Sequence, residues 1–229
     1  MCGFIQRVTD NPTIIDLLEE VGLGDLVPHF AAQSSSLLNF YPAFGGNASR
    51  QITSLITAPD NIIDATWWFD CQSDGDSLAI GKRTTFNARN LESGFWRTAL
   101  KRHRGIVLAT AIGESNPVGK SKQHYFMQGR RAFMLGALYR SFDNGKYACA
   151  VITRPPHERF SNFHEKSFPF FLPFDKDFIQ DWLSGEPLHP ASTQELEQPK
   201  LHVDLEVTPV KTFKAAEPTG PAHLLEADI

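Results

Sequence analysis

The chain has 229 residues, 41% of them apolar and 21% charged, with a formal net charge of -4. It is long enough to bury a substantial core in one large domain or two small ones, and its overall charge does not mark a nucleic-acid binder. No stretch approaches the roughly 20 apolar residues of a membrane span. The early acids Asp10, Asp16, Glu19 and Glu20 do not fit a secretory signal, and three cysteines without paired spacing fit a reducing cytoplasm better than a disulfide framework.

The chain opens Met-Cys-Gly-Phe. Removal of Met1 would leave Cys2 with two nucleophiles on adjacent carbons, an α-amine titrating near pH ~8 and a thiol near ~8.5. Gly3 keeps the neighbouring backbone open to close approach. Residues 12–21 then read as a helix: Pro12 suits a first turn, and Ile14, Ile15, Leu17, Leu18 and Val21 share a face. Residues 31–50, rich in Ser, Asn, Gly and Pro, read as a long loop ending at Arg50.

From residue 52 onward, short β-like runs dominate: 52–57, 65–69, 106–112, 132–139 and 147–153. The Asn144-Gly145 pair marks a hairpin turn between the last two. Residues 175–183 read as a short helix with Asp175 at its start. Residues 203–213 read as a late strand, and 214–229 as a loose, flexible tail. Many strands and few helices predict an α+β fold, one compact domain around a mainly antiparallel, barrel-like sheet.

Basic residues gather in the middle of the chain. Lys82, Arg83, Arg89, Arg97, Lys101, Arg102 and Arg104 face only Glu92, and Lys120, Lys122, Arg130 and Arg131 extend the run. Such a run is either a solvated face or a groove that tracks phosphates in a salt-dependent way. Within Phe-Asn-Ala-Arg (86–89), a strand would turn Asn87 and Arg89 to one side, where Arg89 offers a planar fork for phosphate; the alternative is an ordinary exposed strand. Glu114 closes an apolar run, as a general acid/base of raised pKa or a plain loop carboxylate. His164 lies among aromatics, where a structural role is common. Cys71 and Cys149 fit buried packing. No metal-ligand spacing is present, and Gly113–Ser121 misses the phosphate-loop spacing by one residue.

The order of these pieces is more specific than any one of them. Met-Cys-Gly at the start, Phe-Asn-Ala-Arg, a strand running into Glu114, Cys149-Ala-Val-Ile-Thr-Arg-Pro-Pro, His164 before an apolar strand, and Leu205-Glu-Val-Thr-Pro-Val together resemble the SRAP family, the SOS response-associated peptidases. The resemblance runs over residues 1–213. It implies binding of single-stranded DNA and its junctions with duplex, and covalent crosslinking to abasic sites through Cys2. It further implies that Asn87 positions the cysteine and the opened sugar, that Glu114 is the acid/base at the aldehyde, and that His164 assists ring opening, proton transfer and reversal. Arg89 would contact the DNA backbone, with Arg50, Lys82 and Arg83 lining the groove. Trp67 and Trp68 would stack on bases or pack in the core.

No metal or organic cofactor is called for, and a monomer is expected. The family name also implies a peptidase step that frees Cys2. Alternatives are a glutaminase-like amidohydrolase with an N-terminal cysteine nucleophile, or a single-stranded DNA-binding module that does not crosslink. The chain departs from the family pattern at Phe4, where Arg is usual, and at Ala-Ile-Gly-Glu114-Ser, where aromatics usually flank the Glu.

Overall fold

The computed structural model describes residues 2–9, 12–33, 36–59 and 61–228; Met1 and Asp10 lie outside them. Strand β1 (Phe4–Val8) leads to helix α1 (Pro12–Glu20), a short helix α2 (Val27–Ala31) and strand β2 (Leu37–Phe40). Strands β3 (Gln51–Ala58), β4 (Asn61–Thr66), β5 (Cys71–Asp74), β6 (Ser77–Ile80) and the two-residue β7 (Asn87–Ala88) follow. Helix α3 (Gly94–Arg102) precedes the long hairpin β8 (Arg104–Val118) and β9 (Ser121–Ser141). Then come β10 (Tyr147–Arg154), β11 (Phe168–Pro169), α4 (Lys176–Leu183), α5 (Pro190–Glu197), β12 (Leu205–Val210) and β13 (His223–Leu225).

The main sheet runs β13-β12-β9-β10-β4-β3-β8-β1-β2, and an extra β8–β9 pairing closes its middle into a five-stranded barrel. The fold is α+β. Residues on the barrel strands alternate between two cores, as a two-residue period requires. Val107, Ala109, Phe133, Leu135, Cys149 and Val151 point into the barrel. Ile106, Leu108, Met134, Ala150 and Ile152 point outward, under Leu17 of α1, Trp96 of α3 and Trp182 of α4. A strand buried on both faces reads as a continuous apolar run, which is why Ile106–Ile112 shows no alternation.

Strand β9 serves the barrel with one half and an outer sheet with the other. Leu138 to Phe133 pair with Arg104 to Ala109; the register then shifts, and Gln128 to Ser121 pair with Ala111 to Val118. The extra β9 residues form a kink at Gly129, where a Cβ would lie 2.5 Å from the Arg131 carbonyl oxygen. Beyond the kink, β1 flanks β8 and β12 flanks β9. This outer sheet carries the candidate site.

The predicted helix at 12–21, the hairpin turn at Gly145 (φ 74°) and the Asp175 cap of α4 are present. The Asp175 carboxylate accepts from the Phe178 N–H at 2.8 Å. The structure differs elsewhere. The expected loop 31–50 contains β2, whose Leu37–Phe40 pair with β1. The expected strand 65–69 is the end of β4 followed by a turn, since Trp68 N–H already bonds the Thr66 carbonyl. Residues 214–228, expected as a loose tail, add β13 to the sheet and bury Leu225.

Candidate active site and nucleic-acid groove

Four distant segments bring Cys2, Asn87, Glu114 and His164 together. Pairing of Phe4 with Gly113 and Ile5 with Ile112 sets the residues before β1 alongside those after Gly113. Cys2 is fully buried, and its thiol donates to the Phe4 carbonyl at 3.7 Å. Burial, and then the neighbouring Glu114 charge, push that thiol well above its ordinary pKa. Asn87 is fixed by parallel pairing of β7 with β10, opposite Val151. Its Nδ2 donates to the Cys2 carbonyl at 3.1 Å, while its buried Oδ1 has no hydrogen bond among the described residues.

Glu114 lies on β8 opposite Tyr125 and is 1% exposed. Burial raises its carboxyl pKa to about 7. His164 follows a turn of 3-10 helix at Phe160–Asn162 and is 6% exposed. Its Nδ1 lies 2.9 Å from the Ser115 carbonyl oxygen and 3.5 Å from Glu114 Oε2. A carbonyl can only accept, so Nδ1 carries the proton and Nε2 is the acceptor nitrogen of the neutral ring. Burial, followed by nearby positive charge, lowers the His164 pKa to about 4. A carboxylic acid that titrates near neutrality beside a neutral imidazole can donate and accept protons at one carbon centre.

A cavity of about 310 Å³ opens at Gly3 and His164. Arg89, Lys122 and Lys166 supply its positive wall, and Phe44, Phe86 and Phe213 its apolar one. A second cavity of about 560 Å³ shares Phe86 and Arg89 with the first and adds Arg83, Asn87, Phe95 and Trp96. The two meet at Phe86 and Arg89, and the groove they outline has Asn87 and His164 in its lining. Arg89 is held by a 3.0 Å bond from Nη2 to Ser167 Oγ, and the Arg83 guanidinium sits 5.3 Å from the Phe95 ring centre.

One family model matches the sequence, SOS response associated peptidase (SRAP), across residues 1–213. The chain belongs to the SRAP family. Its fold is similar to that of a phage-related protein from Bordetella bronchiseptica, with 14% identity over 97% of this chain and 100% of that one at a TM-score of 0.58. A second Bordetella bronchiseptica protein shares 16% identity over 92% of this chain and 100% of that one, at 0.59. A Bacteroides thetaiotaomicron protein shares 19% over 73% and 78%, at 0.54. At such identities the likeness concerns the fold. No curated protein matches the sequence. Among the described residues, no helix is long and apolar enough to cross a membrane, and no group of three His, Cys, Asp or Glu is placed to hold a metal ion.

In this SRAP chain the other predicted residues divide. Arg83 and Arg89 line the groove. Lys82 is exposed but lines neither cavity, and Arg50 sits apart, its Nη1 on the Pro42 carbonyl at 3.1 Å. Trp67 and Trp68 are core residues, not a stacking platform: both are buried, and Trp67 Nε1 donates to the Phe86 carbonyl at 2.8 Å. Arg104, counted in the basic run, is buried against main-chain carbonyls of α3 and α4.

The exposed aromatic at the groove is Phe44, 49% accessible and edge-on to Trp68 and Phe86. It precedes Gly45 and Gly46, both at positive φ, and this aromatic-Gly-Gly turn was the available signal. Phe213 has no such signal; it reaches the site by stacking on Phe4 with ring centres 5.3 Å apart. Phe4, where the resemblance leads one to expect Arg, is fully buried against Phe213, Tyr41 and Phe126. Ser115 carries a further bond, 2.7 Å from Oγ to His124 Nδ1 across the strand pair.

Proposed function

We propose that this protein recognises abasic sites in single-stranded DNA, or at junctions with duplex, and joins them covalently through Cys2 once Met1 is gone. The observation that carries the reading is the meeting of Cys2, Asn87, Glu114 and His164 at the end of a cationic, aromatic-walled groove. While residue 1 is attached, the Cys2 nitrogen is an amide and cannot form an imine. After its removal, the free amine attacks C1′ of the open-chain abasic aldehyde to give a carbinolamine. Protonated Glu114 hands a proton to the carbinolamine hydroxyl, which leaves as water; the resulting iminium returns its N–H proton to the Glu114 carboxylate and yields the imine. The Cys2 sulfur then adds to the imine carbon, and its proton ends on the nitrogen. The product is a five-membered thiazolidine, closed within one residue at high effective concentration.

The unfilled acceptor Asn87 Oδ1 is suited to hold the Cys2 ammonium or a sugar hydroxyl. His164 Nε2 takes the sugar hydroxyl proton during ring opening and returns it on reversal. Arg89, Lys122 and Lys166 balance phosphates, and Phe44 stacks on a base beside the gap. The opposing apolar wall accepts a base-free sugar better than a phosphate. Incubation with single-stranded DNA carrying one abasic site tests the reading: wild type gives a denaturant-stable adduct, and Cys2→Ala loses it. A wild-type protein that binds the strand and forms no adduct is a binding module only.

A further inference from the structure

We infer that Asp228 is a positioning residue for His164, the end of a C-terminal strap that fixes the turn from which His164 reaches Glu114. The inference deepens the reading above and rests on it for the reaction, though not for the geometry. The family match ends at residue 213, and the strap lies beyond it. Strand β13 pairs with β12 through Leu205↔Leu225 and Val207↔His223. The Ala227 N–H then donates to Asp204 Oδ1 at 2.8 Å. Asp228 and Leu201 bond reciprocally: the Asp228 N–H reaches the Leu201 carbonyl at 2.7 Å, and the Leu201 N–H reaches Asp228 Oδ2 at 2.7 Å.

With its register so fixed, the Asp228 carboxylate meets the segment leading to His164. His157 Nε2 lies 2.9 Å from Oδ2, the Arg159 guanidinium bonds Oδ1, and Arg159 Nη1 donates to the Glu226 carbonyl at 2.8 Å. The chain of contacts continues to the site. The Ser161 N–H bonds the His157 carbonyl at 2.9 Å, and the His164 N–H bonds the Phe160 carbonyl at 3.1 Å. Phe163 is held between Tyr125 at 5.2 Å and His223 of the strap at 6.5 Å, ring centre to ring centre. One carboxylate thus ties two side chains of the turn, those of His157 and Arg159, to the Leu201 N–H beside the sheet. Small displacements of a group that moves protons are costly in rate.

The experiment uses the full chain with Asp228→Asn, and Arg159→Gln as a second variant whose side chain is 40% exposed and less tied to folding. The His164 ring is followed by NMR titration alongside the rates of adduct formation and reversal. The charges bearing on that ring are the chain's α-ammonium, Arg89, Lys166 and Glu114, none of which either variant alters. Loosening the turn moves the His164 midpoint from about 4 toward the ordinary imidazole value of 6.5, and slows the adduct steps by roughly tenfold to a hundredfold. An unchanged midpoint and unchanged rates in folded variants overturn the inference. Absence of any adduct in wild type overturns the function instead, and the titration still decides the strap.

Discussion

At the scale of single residues, Glu114 ties the chemistry to pH. Its carboxyl pKa is about 7 in the folded chain against an ordinary value of 4.5, because burial penalises the charged form. The folded state therefore holds the proton more tightly than the unfolded one. The stability linked to it is complete below pH 4.5 and is lost as pH rises through 7, by up to about 3 kcal/mol. Glu114→Gln should remove that decline, which melting curves between these limits would reveal. The same variant should slow adduct formation severalfold near neutrality, by removing the acid for water loss, without weakening DNA binding. An unchanged rate would exclude Glu114 from the proton transfers. His164 has the opposite sign: its folded pKa of about 4 lies below 6.5, so its contribution is lost as pH falls through that interval.

At the scale of elements, one buried side chain joins two helix ends. The Arg104 guanidinium donates to the carbonyls of Leu100 and Lys101 in the last turn of α3, and to those of Asp181, Trp182 and Glu186 around the end of α4. Those of Leu100, Lys101 and Trp182 are among the orphan carbonyls that a helix leaves at its C-terminus. Arg104→Met should cost about 3–5 kcal/mol, read from denaturant midpoints, because the carbonyls lose their partners in a dry site. This arrangement was not legible in the sequence, where Arg104 looks like the last member of a basic run. Local pattern finds elements whose causes are local: the Asp175 cap, the Asn144-Gly145 turn and the face of α1. Cys2, Asn87, Glu114 and His164 were legible only through the order of their segments along the chain, since each alone also fits a structural role. Local pattern missed β2, whose partner is β1 across a turn and two helices, and it left Trp67 and Trp68 undecided. Their burial depends on where Phe86 comes to lie.

At the scale of the whole molecule, the net charge of -4 hides a cationic groove. Arg89, Lys122 and Lys166 are gathered from three separate segments. Engagement of about three phosphates of a single strand predicts a log–log salt slope near -2 for binding, and Arg89→Ala should make it shallower by about 0.7. Titrations of a fluorescent oligonucleotide from low to moderate salt would measure both; a slope near zero would remove the groove from DNA binding. The placement of β1 has a consequence for biosynthesis. Its first pairing is with β2, but that ladder starts at Ile5, and only β8 reaches Phe4. Asn87, which fixes the Cys2 carbonyl, also lies far downstream. A ribosome adding about 5–20 residues per second needs on the order of 10 s to deliver these partners. Throughout that interval the nascent amino end has no place in the fold. Cleavage before Cys2 therefore meets least hindrance in that interval, whereas the finished domain buries Cys2. If Cys2 is the nucleophile proposed above, freeing of its nitrogen has to precede closure of the fold around it, and the extent of that processing sets the fraction of chains able to crosslink.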